Sequence, residues 1–283
     1  MLKKFVLVTT LLVSPLAAVA EGEVNVYSSR QEQLIKPILD KFTAASGIKV
    51  NLVTGKDDAL IERLKLEGEN SPADLLMTAD AGRLSRAKDL GLSQAVESEA
   101  LKTAIPENLR DPENQWFGLT YRARPIFYVK EKIKPEDLST YADLADPKWK
   151  GKICVRSSDN IYNQSMLASM IASQGTEAAT KWAEGLVKNF ARPPEGGDRD
   201  QLKAAAAGMC DLAISNTYYY GQMLASEAPE DKAAAEKMAI FWPDQGEQGR
   251  GTHINFSGAT VTKAAKNKEN AVKLLEYLVG DEA

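Results

Sequence analysis

The chain has 283 residues, of which 44% are hydrophobic, with a formal charge of −4 from 35 basic and 39 acidic side chains. That balance gives no support for nucleic acid or an anionic membrane as partner, and the apolar fraction is enough to bury a core in one large domain or two lobes of ordinary size. One histidine, His253, and two cysteines, Cys154 and Cys210, argue against a histidine-based metal site, a Ser-His-Asp triad or a C-x-x-C metal spacing.

At the N-terminus, Lys3 and Lys4 precede an apolar run from Phe5 to Val13, a Ser-Pro break and Ala18-Val19-Ala20. This pattern predicts a secretory signal peptide cleaved after Ala20, since the run is about half the ~20 residues a spanning helix needs. Cleavage removes two lysines and no acid, taking the charge to −6. Near Ala20 there is no cysteine to carry a lipid anchor. In an oxidising compartment Cys154 and Cys210 either close one disulfide or stay as two buried thiols.

Val24 to Tyr27 reads as a strand, and the segment from Gln31 to Ser46 carries Ile35, Ile38, Leu39 and Phe42 at helical spacing before Gly47. The unit recurs as Lys49 to Val53 before a helix from Asp58 to Leu66, and Asp74 to Thr78 before a helix from Ala81 to Leu90. Repeated strand–helix units predict a mostly parallel α/β sheet. Strands at Trp116 to Leu119 and Pro125 to Val129 mark a crossing into a second lobe. There Lys152 to Val155 leads to helices over Tyr162 to Gln174, Thr176 to Asn189 and Asp200 to Ala207, then a short strand from Asp211 to Ile214. A helix opens near Tyr218, Met238 to Pro243 reads as a crossing back, and the last helix runs from Lys266 to Val279. Two such lobes place a ligand cleft at strand C-termini and helix N-termini.

Three constellations carry chemistry. Tyr218-Tyr219-Tyr220 follows a short buried strand, and helical spacing points three successive phenols in three directions, so packing on one core face does not explain them. Tyr162 stands at a strand-to-helix turn rich in Ser and Asn, where it is either a binding residue or an ordinary core tyrosine behind a cap. The first strand–helix turn, Ser28-Ser29-Arg30-Gln31-Glu32, with Arg122 and Arg124 at the lobe crossing, offers guanidinium forks for a small planar oxyanion. A free phenol ionises near pH ~10, and a hard, highly charged cation drives off its proton, so a tyrosine cluster suits a trivalent metal. His253 is expected to be a structural histidine.

Together, Val24-Asn25-Val26-Tyr27-Ser28-Ser29-Arg30, Thr54-Gly55-Lys56, Gly118-Leu119 leading to Arg122-Ala123-Arg124, Ser157-Ser158-Asp159-Asn160-Ile161-Tyr162-Asn163-Gln164 and Ser215-Asn216-Thr217-Tyr218-Tyr219 resemble the ferric-ion-binding periplasmic proteins of bacterial ABC transporters, a branch of the extracellular solute-binding family. The resemblance spans essentially the whole mature chain. It implies an α/β periplasmic-binding-protein fold: two lobes joined by two crossover strands, with residues 21–122 plus 245–283 in the N-terminal lobe and 123–244 in the C-terminal lobe. It implies a monomer that holds Fe³⁺ on Tyr162, Tyr218 and Tyr219, with Tyr220 outside the pattern, and delivers it from the periplasm to an inner-membrane ABC transporter permease. Members with a His-Tyr pair after the first-turn Ser-Arg add those side chains to the metal; here the positions hold Gln31 and Glu32. The chain is therefore similar to members that use three tyrosines and a carbonate or bicarbonate, for which Arg30, Gln31, Arg122 and Arg124 are candidates. Family members usually continue several tens of residues beyond Ala283, so a C-terminal segment that packs on the second lobe is expected to be missing. Rival expectations are another solute on the same scaffold, such as a phosphonate, polyamine, thiamine or sulfate, and an exported hydrolase, for which no Gly-x-Ser-x-Gly or H-E-x-x-H motif is present.

Overall fold

The computed structural model describes residues 22–283, so the expected signal peptide and its cleavage after Ala20 lie outside the described residues. In chain order the first part comprises β1 (Glu23–Ser28), α1 (Glu32–Ser46), β2 (Lys49–Thr54), α2 (Asp57–Glu67), β3 (Leu75–Thr78), α3 (Ala81–Asp89), α4 (Glu99–Ala104) and β4 (Phe117–Ala123). The second comprises β5 (Ile126–Val129), β6 (Ile153–Cys154), α5 (Ile161–Gln174), α6 (Thr176–Lys188), α7 (Asp198–Ala206), β7 (Leu212–Ile214), α8 (Thr217–Leu224), α9 (Pro229–Glu236) and β8 (Met238–Phe241). The chain then returns through β9 (Ile254–Val261) and ends in α10 (Lys268–Leu278).

Two sheets result, ordered β2-β1-β3-β9-β4 and β6-β7-β5-β8. Each has its own apolar core. Val24, Val26, Phe42, Leu75, Val261 and Leu274 pack under the first, while Ile126, Ile153, Met166, Leu212 and Ile214 pack under the second. In α1 the buried face is Ile35, Leu39 and Phe42, and Gly47, at φ 71°, closes the helix by donating its N–H to the Thr43 carbonyl. Removing any of these three side chains costs about 2–5 kcal/mol in a core of ordinary packing.

The sheets are mixed, which corrects the mostly parallel expectation. β1 runs parallel to β2 and β3, and β6 parallel to β7, but β9 is antiparallel to β3 and β4, and β5 is antiparallel to β7 and β8. The antiparallel strands are those that carry the chain between sheets. A strand arriving from the other lobe enters from the cleft side, so it runs against its neighbours. Gly258 makes the central place of β9 possible: a Cβ there would lie 2.2 Å from the Phe117 carbonyl oxygen.

The crossings are Arg124–Pro125, between β4 and β5, and residues 242–253, between β8 and β9. Cys154 and Cys210 are joined by a disulfide under the second sheet, with Cα atoms 5.9 Å apart. Among the described residues no helix is long and apolar enough to cross a membrane.

Candidate metal centre

The two tyrosine-bearing helices begin alike. Asn160 caps α5 by accepting the Tyr162 N–H at 3.0 Å, which places Tyr162 in the first turn. Asn216 likewise stands immediately before α8, though its side chain makes no capping bond, and Tyr218 occupies the first turn. The Tyr218 hydroxyl donates to the Tyr162 hydroxyl oxygen at 2.9 Å, although 56 residues separate them. Tyr219 lies with its ring centroid 4.2 Å from that of Tyr218. Tyr220 points the other way, where its hydroxyl donates to the Met238 carbonyl at 3.2 Å and its ring packs 5.2 Å from Phe127.

Burial holds the Tyr218 phenol far above its ordinary pKa, and the neighbouring Tyr162 and Tyr219 add to the shift. Tyr219 is raised as well, first by burial and then by Tyr162. Both phenols are therefore neutral near pH 7 unless a cation displaces their protons. Three guanidinium groups surround the Tyr162 ring, with Arg156, Arg122 and Arg124 at 5.4, 5.5 and 5.8 Å from its centroid.

Of these, Arg122 differs in having both terminal nitrogens, Nη1 and Nη2, buried without a hydrogen-bond partner in the protein, and the residue is 9% exposed. Burial pulls its pKa below the ordinary arginine value. A buried cation without a partner is costly, so this guanidinium favours an anion beside it. It lines a cleft of about 340 Å³ together with Ser29, Arg30, Gln31, Tyr162 and Tyr218. Arg30 spends one donor on Ser257 Oγ at 2.6 Å, and Gln31 is exposed at the N-terminus of α1.

Arg124, also a candidate for the anion, is not among the residues that line this cleft. Its Nε and Nη2 donate to Asn163 Oδ1 at 3.2 and 2.7 Å, and Nη1 donates to Asp198 Oδ2 at 2.7 Å and Asn216 Oδ1 at 3.0 Å. A long contact from Nη2 to Asp198 Oδ1, at 3.5 Å, takes the last donor. With its guanidinium fully committed and the residue 1% exposed, Arg124 has nothing to offer an anion.

His253 is buried just before β9, where its Nδ1 lies 3.1 Å from Ser169 Oγ. Burial, then the charges of Arg124, Arg250 and Arg122, push it down to about 4, so it is neutral. Among the described residues no group of three His, Cys, Asp or Glu side chains is placed to hold a metal ion. Tyr162 and Tyr218 bring phenol oxygens to the cleft.

Several residues at the site had no signal in the sequence. Asp198 lies two residues ahead of the helix expected from Asp200 and carried no reading there, yet it opens α7 and is buried between Arg124 and Arg156. Asp80, the cap of α3, accepts from Ser165 of α5 at 2.6 Å and from Asn255 of β9 at 2.7 Å, which ties one lobe to the other. Such pairs join side chains 85 or 175 residues apart, beyond the reach of any local pattern.

Residues 27–283 match the bacterial extracellular solute-binding protein family. Iron uptake protein A1 of Synechocystis sp. is 53% identical over 263 residues, covering 93% of this chain and 72% of that protein. A Trichodesmium protein (IdiA, FutA), solved in complex with iron and citrate, superposes with a TM-score of 0.84 at 54% identity, covering 92% of this chain and 81% of that one. The ferric binding protein from Campylobacter jejuni superposes with a TM-score of 0.87 at 43% identity, covering 92% and 82%. On this match the chain belongs to the bacterial extracellular solute-binding protein family.

Proposed function

We propose that this chain captures ferric iron in the cleft between its lobes and delivers it to an inner-membrane ABC transporter permease. The contact that carries this reading is the 2.9 Å approach of the Tyr218 and Tyr162 hydroxyls, with the Tyr219 ring tilted against that of Tyr218. Similarity to an iron uptake protein and to a ferric binding protein supports it.

Tyr162, Tyr218 and Tyr219 are the proposed ligands. Two phenols whose protons are held tightly by burial make poor sites for a divalent ion, which gains too little from the phenolate to displace them. A trivalent ion repays that cost, so the same burial that raises the pKa values selects for Fe³⁺. Arg122, with Arg30 and Gln31, would hold a carbonate or bicarbonate that fills the positions the phenols leave open.

The lobes are proposed to divide as residues 21–122 with 245–283 and 123–244, close to the crossings at Arg124–Pro125 and 242–253. The expected export signal places the working protein in the periplasm. Closure of the cleft would exclude water and strengthen the metal–phenolate attraction.

Calorimetric titration of the mature protein with chelated Fe³⁺, and in parallel with sulfate, a phosphonate, a polyamine and thiamine, tests the proposal. Saturation by Fe³⁺ alone at one equivalent is expected. Tight uptake of one of the others without iron would replace this reading with another transported solute.

A further inference from the structure

Arg124 touches both tyrosine-bearing helices and both crossings between the lobes. Its side chain reaches Asn163, the residue after Tyr162 on α5, and Asn216, the residue at which α8 begins. Its backbone N–H donates to the His253 carbonyl at 3.0 Å, and its own carbonyl accepts from the Tyr141 hydroxyl at 2.8 Å. That hydroxyl also accepts the His253 N–H at 3.1 Å, so the first crossing, at Arg124, is bonded to the second, at His253.

Asp198 completes the arrangement from below. It accepts from Arg124 Nη1 and from the Asn216 N–H, both at 2.7 Å, and from Arg156 Nη1 at 3.4 Å. Asn216 is an ordinary capping residue by type, yet its side chain makes no capping bond to α8, because its carbonyl oxygen is given to Arg124. Asn163 holds the other side by donating to the Arg156 and Ser157 carbonyls at 2.9 and 3.2 Å. The start of α8 is thus linked to the start of α5 through one buried ion pair, in addition to the direct Tyr218–Tyr162 hydroxyl contact.

We infer that Arg124 and Asp198 are the positioning pair of the metal centre: they set the first turn of α5 against the first turn of α8, and so fix Tyr162 relative to Tyr218 and Tyr219. The inference rests on the ferric-iron reading of these tyrosines. A planar guanidinium with five donors in a rigid fork can bond two helices at fixed angles, whereas an ammonium acts as a single flexible point charge. Partners that orient metal ligands without touching the metal typically change affinity about 10- to 100-fold when altered. Because Arg124 is tied to both crossings, the pair also keeps the phenol geometry constant while the lobes move.

The test uses the full mature protein and two variants, Arg124→Lys and Asn163→Ala, with folding checked by circular dichroism. Each is titrated with chelated Fe³⁺, with and without bicarbonate, while the visible phenolate-to-iron band is recorded. The expected result for Arg124→Lys is a displaced band and about 10- to 100-fold weaker binding, with bicarbonate tightening it by the same factor as in the wild type. Asn163→Ala, which removes only the arm to α5, should show a smaller displacement. Wild-type band and affinity in both folded variants would overturn the inference. So would a loss in Arg124→Lys that disappears without bicarbonate, since that marks an anion ligand. If Arg124→Lys does not fold, Asn163→Ala decides alone: a displaced band supports the positioning role and an unchanged one overturns it. A wild type without any band refutes the ferric reading itself, and the inference falls with it.

Discussion

Tyr218 donates its hydroxyl proton to the Tyr162 oxygen at 2.9 Å, so two phenols that begin different helices share one hydrogen bond in the cleft. A cation that binds both oxygens has to displace that proton, and the contact is lost when either hydroxyl is removed. Tyr218→Phe should therefore weaken Fe³⁺ binding by more than about 100-fold, beyond the effect expected of an outer-shell residue. Tyr220→Phe removes only the bond to the Met238 carbonyl, worth about 0.5–1.5 kcal/mol of stability, and should leave iron affinity within a few-fold. Equal losses in the two variants, measured by chelator competition, would refute the ligand assignment.

The raised pKa values of Tyr218 and Tyr219 set the pH dependence of binding. Both phenols are protonated in the metal-free protein at neutral pH, as an ordinary phenol already is, and burial raises their pKa values further, so binding as phenolates releases at least their two protons. Affinity should fall by at least about two powers of ten for each unit the pH is lowered, once the chelator's own protonation is accounted for. Proton release on iron addition, followed with an indicator dye, checks this directly. Release of fewer than two protons per iron would contradict it.

His253 should mark the acid limit of stability. Its pKa is held at about 4, against an ordinary value of 6.5, by burial and by Arg124, Arg250 and Arg122. Between those values the unfolded chain takes up a proton that the folded chain refuses. Its contribution is thus present in full above about pH 6.5 and is lost as the pH falls towards 4, a change on the order of 3 kcal/mol. Denaturant unfolding across that range should show a steeper loss in the wild type than in His253→Gln. Matching slopes would mean that His253 is not buried neutral.

Reduction of Cys154–Cys210 frees a loop spanning 56 residues of sequence separation and should cost about 2–5 kcal/mol of stability. Thermal unfolding with and without a reductant that reaches the buried pair tests this. An unchanged midpoint, with reduction verified by thiol titration, would show that the bridge adds nothing.

Much of the fold is legible in the chain because its elements advertise themselves locally. Ile35, Leu39 and Phe42 recur at helical spacing before Gly47, and the structure buries all three. β9 is different: Ile254–Val261 includes Asn255, Ser257, Gly258 and Thr260 and alternates poorly, yet it is buried between β3 and β4. Its strand character comes from neighbours more than 130 residues earlier in the chain, which no local pattern contains. The tyrosines were visible as a cluster because three phenols in succession fit no single buried face. The different roles of Arg122 and Arg124 were not visible, because two arginines two residues apart look alike until Asp198, Asn163 and Asn216 are seen to occupy only the second.

The most direct test of the central claim is a visible-absorption titration of the mature protein with chelated Fe³⁺, run with and without bicarbonate. The account predicts an orange-red phenolate-to-iron band that saturates at one equivalent, disappears in Tyr218→Phe and strengthens with bicarbonate. A folded protein that shows no such band would contradict the assignment of Tyr162, Tyr218 and Tyr219 as ferric ligands.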